Sequence, residues 1–379
     1  MLTILNKYNK SMILESLQLP VFSDVETLAE KVRLTEKLVY YLTKEDAEGR
    51  YKEFSIPKKD GTTRDIAAPC ASLKLMQRWV LENILYKVRV SQYSYGFKRG
   101  EQGSPLVRCA ERHRNNLYIL KMDLKNFYPS ISKERIFKQF LQLGYNSYAA
   151  NLLSNICTLH KRLPQGAVTS PYLANLVCYR MDKRIAGYCN KREITFTRYA
   201  DDLTFSCDNR DSLRNVYGMI KKIVEDEGFL LNEKKTQFMT PKVHKKILGV
   251  TVNDGLLKAS KHIKKNIRAM IHYQIITGDY SDNELIRGYI AYVNSIEENY
   301  HKKIIKYIEK FYNDPITLFR DAVQSFNDNK LYKELPDMKV NDVLHFVDYA
   351  DEEDYLTMVY QERGDYLLKM GKELDEILK

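Results

Sequence analysis

The stretch ITFTRYADDLTFSC, residues 194–207, sets two neighbouring aspartates, Asp201 and Asp202, between runs that alternate like half-buried β-strands. Ile194-Thr195-Phe196-Thr197 precedes the pair and Leu203-Thr204-Phe205-Ser206 follows it, so the pair reads as a hairpin tip. Asp is depleted in strands and adjacent carboxylates repel, so folding alone gives no reason for two of them there. A two-residue hairpin turn favours Gly or Asn, and neither is present. An arbitrary Asp-Asp is most often a plain exposed turn. The β-forming flanks and the missing turn residues favour a chemical role here.

Upstream, LYILKMDLKNFYPSI (117–131) alternates toward a strand ending in Asp123, a third carboxylate where a strand stops. Three such groups gathered from neighbouring strands make an oxygen-rich pocket of the kind Mg²⁺ prefers, with waters and substrate phosphates completing the shell. Two ions about 4 Å apart can activate an attacking hydroxyl and stabilise a leaving oxygen in phosphoryl transfer. Around this centre, YKEFSIPKKDGTTRDIAAP (51–69) reads as a hairpin turning at Lys59-Asp60-Gly61. CASLKLMQRWVLENILYKV (70–88), SPYLANLVCYRMDKRIAGYC (170–189) and DSLRNVYGMIKKIVEDEGF (211–229) have helical spacing. Pro171 suits a first helical turn. ILGVTVNDGLLKAS (247–260) is a second hairpin, turning at Asn253-Asp254-Gly255, and residues from about 258 to 312 read as basic helices.

The 379 residues carry a net charge of +11, which favours a polyanionic partner, and the charge is uneven. Residues 314–379 hold 16 acidic and 8 basic residues, a net −8, so the first 313 carry +19. Asp314-Pro315 marks a boundary before this acidic segment. The six cysteines form no CxxC pair, which argues against a zinc site or a disulfide framework and for a reducing compartment. The N-terminal MLTILNKYNKSMILESLQLPVF lacks a signal-peptide core, and no apolar run of about 18 residues follows, so a cytoplasmic protein with no membrane partner is expected.

Tyr199-Ala200-Asp201-Asp202 resembles the YADD box of reverse transcriptases. Asp123-Leu124-Lys125-Asn126-Phe127-Tyr128 resembles that family's first catalytic-aspartate motif, and Leu163-Pro164-Gln165-Gly166-Ala167-Val168-Thr169-Ser170-Pro171 its LPQGxxTSP box, in the family's order. The likeness runs from about residue 20 to 312, through Arg64–Pro69, Tyr95-Gly96-Phe97 and Asn232–Thr236. Within the family, Cys109-Ala110-Glu111-Arg112-His113 is similar to the NAxxH motif of the bacterial retron group, with Cys in place of Asn. Of that group's VTG motif, expected near 246–250, only Gly249 matches well.

The resemblance implies an α+β right-hand polymerase: fingers and palm with an antiparallel palm sheet over 1–256, a helical thumb over 257–313, and an acidic C-terminal extension over 314–379. It implies an RNA-directed DNA polymerase with Asp123, Asp201 and Asp202 as catalytic, metal-holding residues for two Mg²⁺ ions. Tyr128 would be the steric gate against a 2′-OH, and Gln165 and Gly166 would pack on the incoming deoxynucleotide. Arg64, with Lys58 or Lys59, would clamp the triphosphate, and Lys235 would serve the leaving pyrophosphate. Lys258, Lys261, Lys264, Lys265 and Arg268 recur at spacings that put several on one helix face, a stripe for RNA. His113 is open between an RNA contact and a satisfied buried histidine. A retron enzyme further implies a structured non-coding RNA as template and primer, a branched RNA–DNA product (msDNA), and phage defence with an effector protein. Rival readings are a group II intron-like or abortive-infection reverse transcriptase, or an inactive RNA-binding scaffold. A second Tyr-Ala-Asp at 349–351 lacks β-forming flanks and reads as acidic surface.

Overall fold

The computed structural model describes residues 10–310, apart from 46, 58–60 and 62. Three short helices, α1 (Lys10–Ser16), α2 (Val25–Val32) and α3 (Glu36–Thr43), lead into a two-stranded ribbon, β1 (Tyr51–Pro57) and β2 (Thr63–Pro69). Helix α2 starts in a capping box, the Asp24 carboxylate accepting from Thr27 N at 2.8 Å and the Thr27 hydroxyl accepting from Asp24 N at 3.3 Å. Helices α4 (Ala71–Asn83) and α5 (Pro105–Glu111) precede the strand β3 (Tyr118–Asp123). Five helices follow: α6 (Phe127–Ser130), α7 (Lys133–Gln142), α8 (Ser147–Cys157), α9 (Ser170–Val177) and α10 (Tyr179–Asn190). Then come the hairpin β4 (Thr195–Tyr199) and β5 (Asp202–Cys207), helix α11 (Arg210–Asp226) and strand β6 (Gln237–Met239). A small sheet of β7 (Lys246–Ile247), β8 (Val250–Asn253) and β9 (Leu256–Lys258) leads to helices α12 (Lys261–Thr277), α13 (Asn283–Ile296) and α14 (Tyr300–Ile308).

The central sheet has the order β4-β5-β3-β6 and is antiparallel throughout. This is the α+β arrangement with an antiparallel palm sheet that the resemblance implies. Strand β3 alternates strictly: Leu120 and Met122 point into the main core of palm and fingers, whereas Ile119 points into a second core. That second core joins Cys109 and Ala110 of α5 to Val250 and Val252 of β8, and to Ile267, Ile271, Val293 and Ile304 of the last three helices. Helix α11 lies across β3 and β5, turning Leu213, Val216 and Ile220 inward.

Two local readings are corrected. The helical pattern from Lys258 begins only at Lys261, because Lys258 ends β9 and the Ser260 hydroxyl caps α12 by accepting from His262 N at 3.3 Å. The stretch 170–189 is two helices divided at Cys178, with Pro171 in the first turn of α9. The turn at Lys58, Lys59 and Asp60, the boundary at Asp314-Pro315, the acidic extension and the second Tyr-Ala-Asp lie outside the described residues.

One glycine sets how the ribbon meets the palm. Gly166 has φ +117°, and a Cβ built on it would lie 2.8 Å from the carbonyl oxygen of Ala67 in β2. Next to it, the Gln165 carbonyl accepts from Ala67 N at 2.8 Å. The close approach that requires glycine is to the ribbon's own backbone. Gly166→Ala should therefore lower the unfolding free energy by about 2 kcal/mol in denaturant titration, through backbone strain and the Ala67 clash.

Candidate active site

In β3 and β5, Asp123 and Asp202 are direct cross-strand partners, and Asp202 also pairs with Tyr199 across the hairpin. The turn between β4 and β5 is therefore the two residues Ala200 and Asp201. Ala200 takes φ +49°, a left-handed conformation that disfavours a Cβ by roughly 1–2 kcal/mol. No glycine relieves it, so neighbours must hold it. Leu124 N donates to the Asp201 carbonyl at 3.0 Å, tying the turn to the end of β3.

The main restraint is Arg198, which has no solvent exposure. Its Nε and Nη2 donate to the two carboxylate oxygens of Asp182 in α10 at 2.7 and 2.8 Å. Its Nη1 donates to Asn175 Oδ1 in α9 at 2.9 Å and to the Ala200 carbonyl at 3.1 Å. Asn175 also accepts from Ser94 Oγ and donates to the Gly96 carbonyl. Gly96 lies under the Tyr199 ring, where an added Cβ would stand 3.2 Å from it. The strained turn is thus fixed by a buried cation whose other donors are already committed.

A second cation lies at the carboxylates. Lys235 Nζ is 3.0 Å from Asp123 Oδ2. Burial works against its charge, but the hydrogen bond it donates to Asp123 and the fields of Asp123, Asp201 and Asp202 outweigh it and hold its pKa above the ordinary lysine value. All three carboxylates therefore act on one ammonium. The Asp202 pKa is raised as well, which in a carboxylate disfavours the charge: burial raises it, Asp123 adds to the rise, and Lys121 and Lys235 oppose it. Among the described residues no three His, Cys, Asp or Glu side chains are gathered closely enough to hold an ion between them as they stand. The donor set is nonetheless all carboxylate oxygen around a seated cation, and hard ions commonly take one or two carboxylates with substrate phosphates filling the rest. Asp123 and Asp202 fit such a shell, with Asp201 beside them.

The other residues singled out from sequence fall in different places. Tyr128 is 5% exposed in α6, against Phe127 with ring centroids 5.2 Å apart. Arg64 is exposed on β2, the strand that Gln165 and Gly166 touch through Ala67, so these three share one region. Lys59 is outside the described residues. Lys258, Lys261, Lys265 and Arg268 are exposed at the start of the helical region. Lys264 is not available as expected: its ammonium is 2.6 Å from Glu297, which also accepts from Ala259 N, so it pins α12 to the end of α13. Beside it, a cleft of about 300 Å³ is lined by Arg268, Tyr300, Lys303, Lys306 and Lys310. His113 is the clearest correction. It is wholly buried, with Nδ1 2.6 Å from Ser206 Oγ and Nε2 2.7 Å from Thr197 Oγ1, the satisfied buried histidine of the two alternatives.

Sequence reasoning missed Arg198, Asp182, Lys121 and the lysines of α14. Arg198 and Lys121 carried a usable signal, each a charged residue inside an alternating strand.

Two outcomes follow. Arg198→Met leaves Asp182 buried without its counter-charge and should cost about 3–5 kcal/mol in urea unfolding, most of it recovered by adding Asp182→Leu. Burial, then the Arg112 charge, push His113 down to about 3, so the folded protein keeps the ring neutral where the unfolded chain protonates it below about 6.5. Wild type should therefore lose stability relative to His113→Gln as pH falls from 6.5 toward 3, by up to about 1.4 kcal/mol per pH unit. Unfolding curves of both proteins across that range check this.

Known proteins bear on this geometry. Residues 56–252 match the family described as reverse transcriptase (RNA-dependent DNA polymerase). The chain is 34% identical over 309 residues to the Retron Ec86 reverse transcriptase of Escherichia coli, covering 80% of this chain and 94% of that one. It is 32% identical over 275 residues to the Retron Mx65 reverse transcriptase of Myxococcus xanthus, covering 68% and 64%. Among solved structures, telomerase from Candida albicans aligns at 14% identity with a TM-score of 0.41, over 69% of this chain and 58% of that one.

Proposed function

The chain belongs to the reverse transcriptase family, in its bacterial retron group, and is an RNA-directed DNA polymerase; from that premise we propose that it copies a cognate structured non-coding RNA, serving as template and primer, into msDNA. Synthesis starts from a 2′-OH of that RNA and leaves a branched RNA–DNA product. The observation that carries the site reading is the cross-strand pairing of Asp123 with Asp202, with Asp201 adjacent and a lysine ammonium bonded to Asp123 within the field of the other two.

In this reading Asp123, Asp201 and Asp202 hold two Mg²⁺ ions. Bound there, divalent ions lower the pKa of the attacking hydroxyl and balance charge on the transferring phosphoryl group. The protein's own residues do the rest. Arg198 holds the Ala200-Asp201 turn so that the carboxylates keep their places. Lys235 keeps a proton beside Asp123, within reach of a leaving pyrophosphate. Tyr128 excludes a 2′-OH from the incoming sugar, which selects deoxynucleotides. Arg64 and the Gln165-Gly166 loop border the incoming triphosphate, Arg suiting bidentate phosphate contact. Lys258, Lys261, Lys265 and Arg268 lie along RNA phosphates, joined by the lysines of α14. The enzyme works in the cytoplasm, in phage defence, with an effector protein. No helix among the described residues is long and apolar enough to cross a membrane.

Asp201→Asn should abolish Mg²⁺-dependent primer extension while RNA affinity, measured by filter binding, stays within about twofold, since the change removes one charge at the centre and none from the phosphate-facing stripe. Wild-type protein should also co-purify with a short nucleic acid sensitive to both RNase and DNase. Retained extension by Asp201→Asn would remove Asp201 from the chemistry, and protein free of such nucleic acid would overturn the branched product.

A further inference from the structure

On the sheet face that carries Asp202, the hairpin presents hydroxyls. The cross-strand pairs Thr195–Ser206, Thr197–Thr204 and Tyr199–Asp202 put Thr195, Thr197, Thr204 and Ser206 on one side together with Asp202. Phe196, Arg198, Leu203 and Phe205 point to the other side, where the Phe196 and Phe205 rings stack at 5.1 Å. Two side chains span both strands on the hydroxyl side: Asn116, and His113, two residues beyond the end of α5, whose ring bonds Thr197 of β4 and Ser206 of β5.

We propose that His113 is a positioning residue for DNA synthesis, latching β4 to β5 so that Asp201 and Asp202 stay in register opposite Asp123. This rests on reading those aspartates as the reaction centre. The hydrogen bonds can be given directions. The Asn116 amide nitrogen only donates, and it reaches Ser206 Oγ at 2.6 Å and Thr195 Oγ1 at 3.3 Å. Ser206 then donates to His113 Nδ1, His113 Nε2–H donates to Thr197 Oγ1, and Thr197 donates to Cys109 Sγ at 3.2 Å. With these directions one neutral tautomer satisfies every member.

The same geometry explains why an apolar residue of similar volume would not serve. A slip of one residue in either strand turns every side chain to the opposite face. Such a slip would bring Phe196 or Arg198, Phe205 or Cys207 under the imidazole in place of the hydroxyls, and would turn the Asp202 carboxylate away from Asp123. The ring thus disfavours a one-residue slip of the hairpin. Its own position is set from outside the hairpin, because Cys109 and Ala110 of α5 are buried in the second core with β8 and the last three helices. Asn116 is held there as well, its carbonyl accepting from Lys245 Nζ at 2.9 Å. The latch therefore connects the catalytic hairpin to the body that carries the RNA-facing lysines.

The test uses the full-length protein with its RNA. His113→Ala should lower kcat for single-nucleotide incorporation about 100-fold, the size expected of a misplaced reacting group, with KM for the deoxynucleotide and RNA affinity within about twofold. Hydrogen exchange should quicken in residues 195–206 while α7 and α8 keep their protection. His113→Asn and His113→Gln, each able to restore one of the two bonds, should recover part of kcat. If His113→Ala does not fold, Ser206→Ala removes one bond at little change in volume and carries the same readouts. A wild-type kcat in the folded variants, or exchange that quickens evenly over the whole chain, would reduce His113 to a packing residue. The two readings separate at Asp201→Asn: if that variant still synthesises DNA, the assignment of the centre fails. If it is inactive while the His113 and Ser206 variants match wild type, only the latch fails.

Discussion

A guanidinium with no access to water must find its counter-charge and its acceptors inside the protein, and around Arg198 that requirement organises the centre. Its fork takes both oxygens of Asp182, which fixes α10 against β4, and the remaining donors take Asn175 and the Ala200 carbonyl. Asn175 then reaches Gly96, whose missing side chain lets the Tyr199 ring sit against the backbone. None of these groups can move without leaving a buried polar atom unpaired, and each such atom is worth about 1–3 kcal/mol. A left-handed alanine is held in place because the bonds around it stabilise more than its strain opposes.

The electrostatics of the centre are balanced by the same logic at smaller scale. Asp123 and Asp202 meet where burial weakens screening, and Asp202 responds by becoming harder to ionise. Lys121 and Lys235 approach from β3 and the segment after α11, and offset part of that repulsion. The thumb-side helices show the opposite imbalance. In the cleft beside Lys264 only Glu297 opposes five basic side chains, and Lys264 already engages it.

Much of this was legible from the sequence wherever the signal was local. The alternation around Asp201 and Asp202 and the strand ending at Asp123 place the carboxylates on neighbouring strands without any structure, because a period of two leaves few alternatives. The resemblance through Tyr95–Phe97 located the segment that packs against Arg198 and Tyr199 of the hairpin. What stayed hidden depends on burial and on partners distant in sequence. Arg198 looked like one more charge in a strand, and its meaning lies in Asp182 and Asn175, on two other helices. His113 could be an RNA contact or a core residue, and only the hydroxyls of two strands about ninety residues away decide it. Lys264 shares a helical stripe with Lys261, Lys265 and Arg268, yet Glu297 sits opposite it alone. Gly166 looked like room for a ligand and proved to be room for the Ala67 carbonyl.

Strand β3 belongs to both cores at once. Leu120 and Met122 are buried among palm and fingers, while Ile119, Lys121 and Asp123 share the other face, which begins in the thumb-side core and ends at the Asp123–Asp202 pair. The two bodies consequently have no clean seam between them. A chimaera that borrowed its thumb from a relative would have to match residue 119 as well as the helices. Without that match, the graft would press on the very strand that carries its first aspartate. Modular exchange in this molecule is limited by one shared wall, four residues from the chemistry.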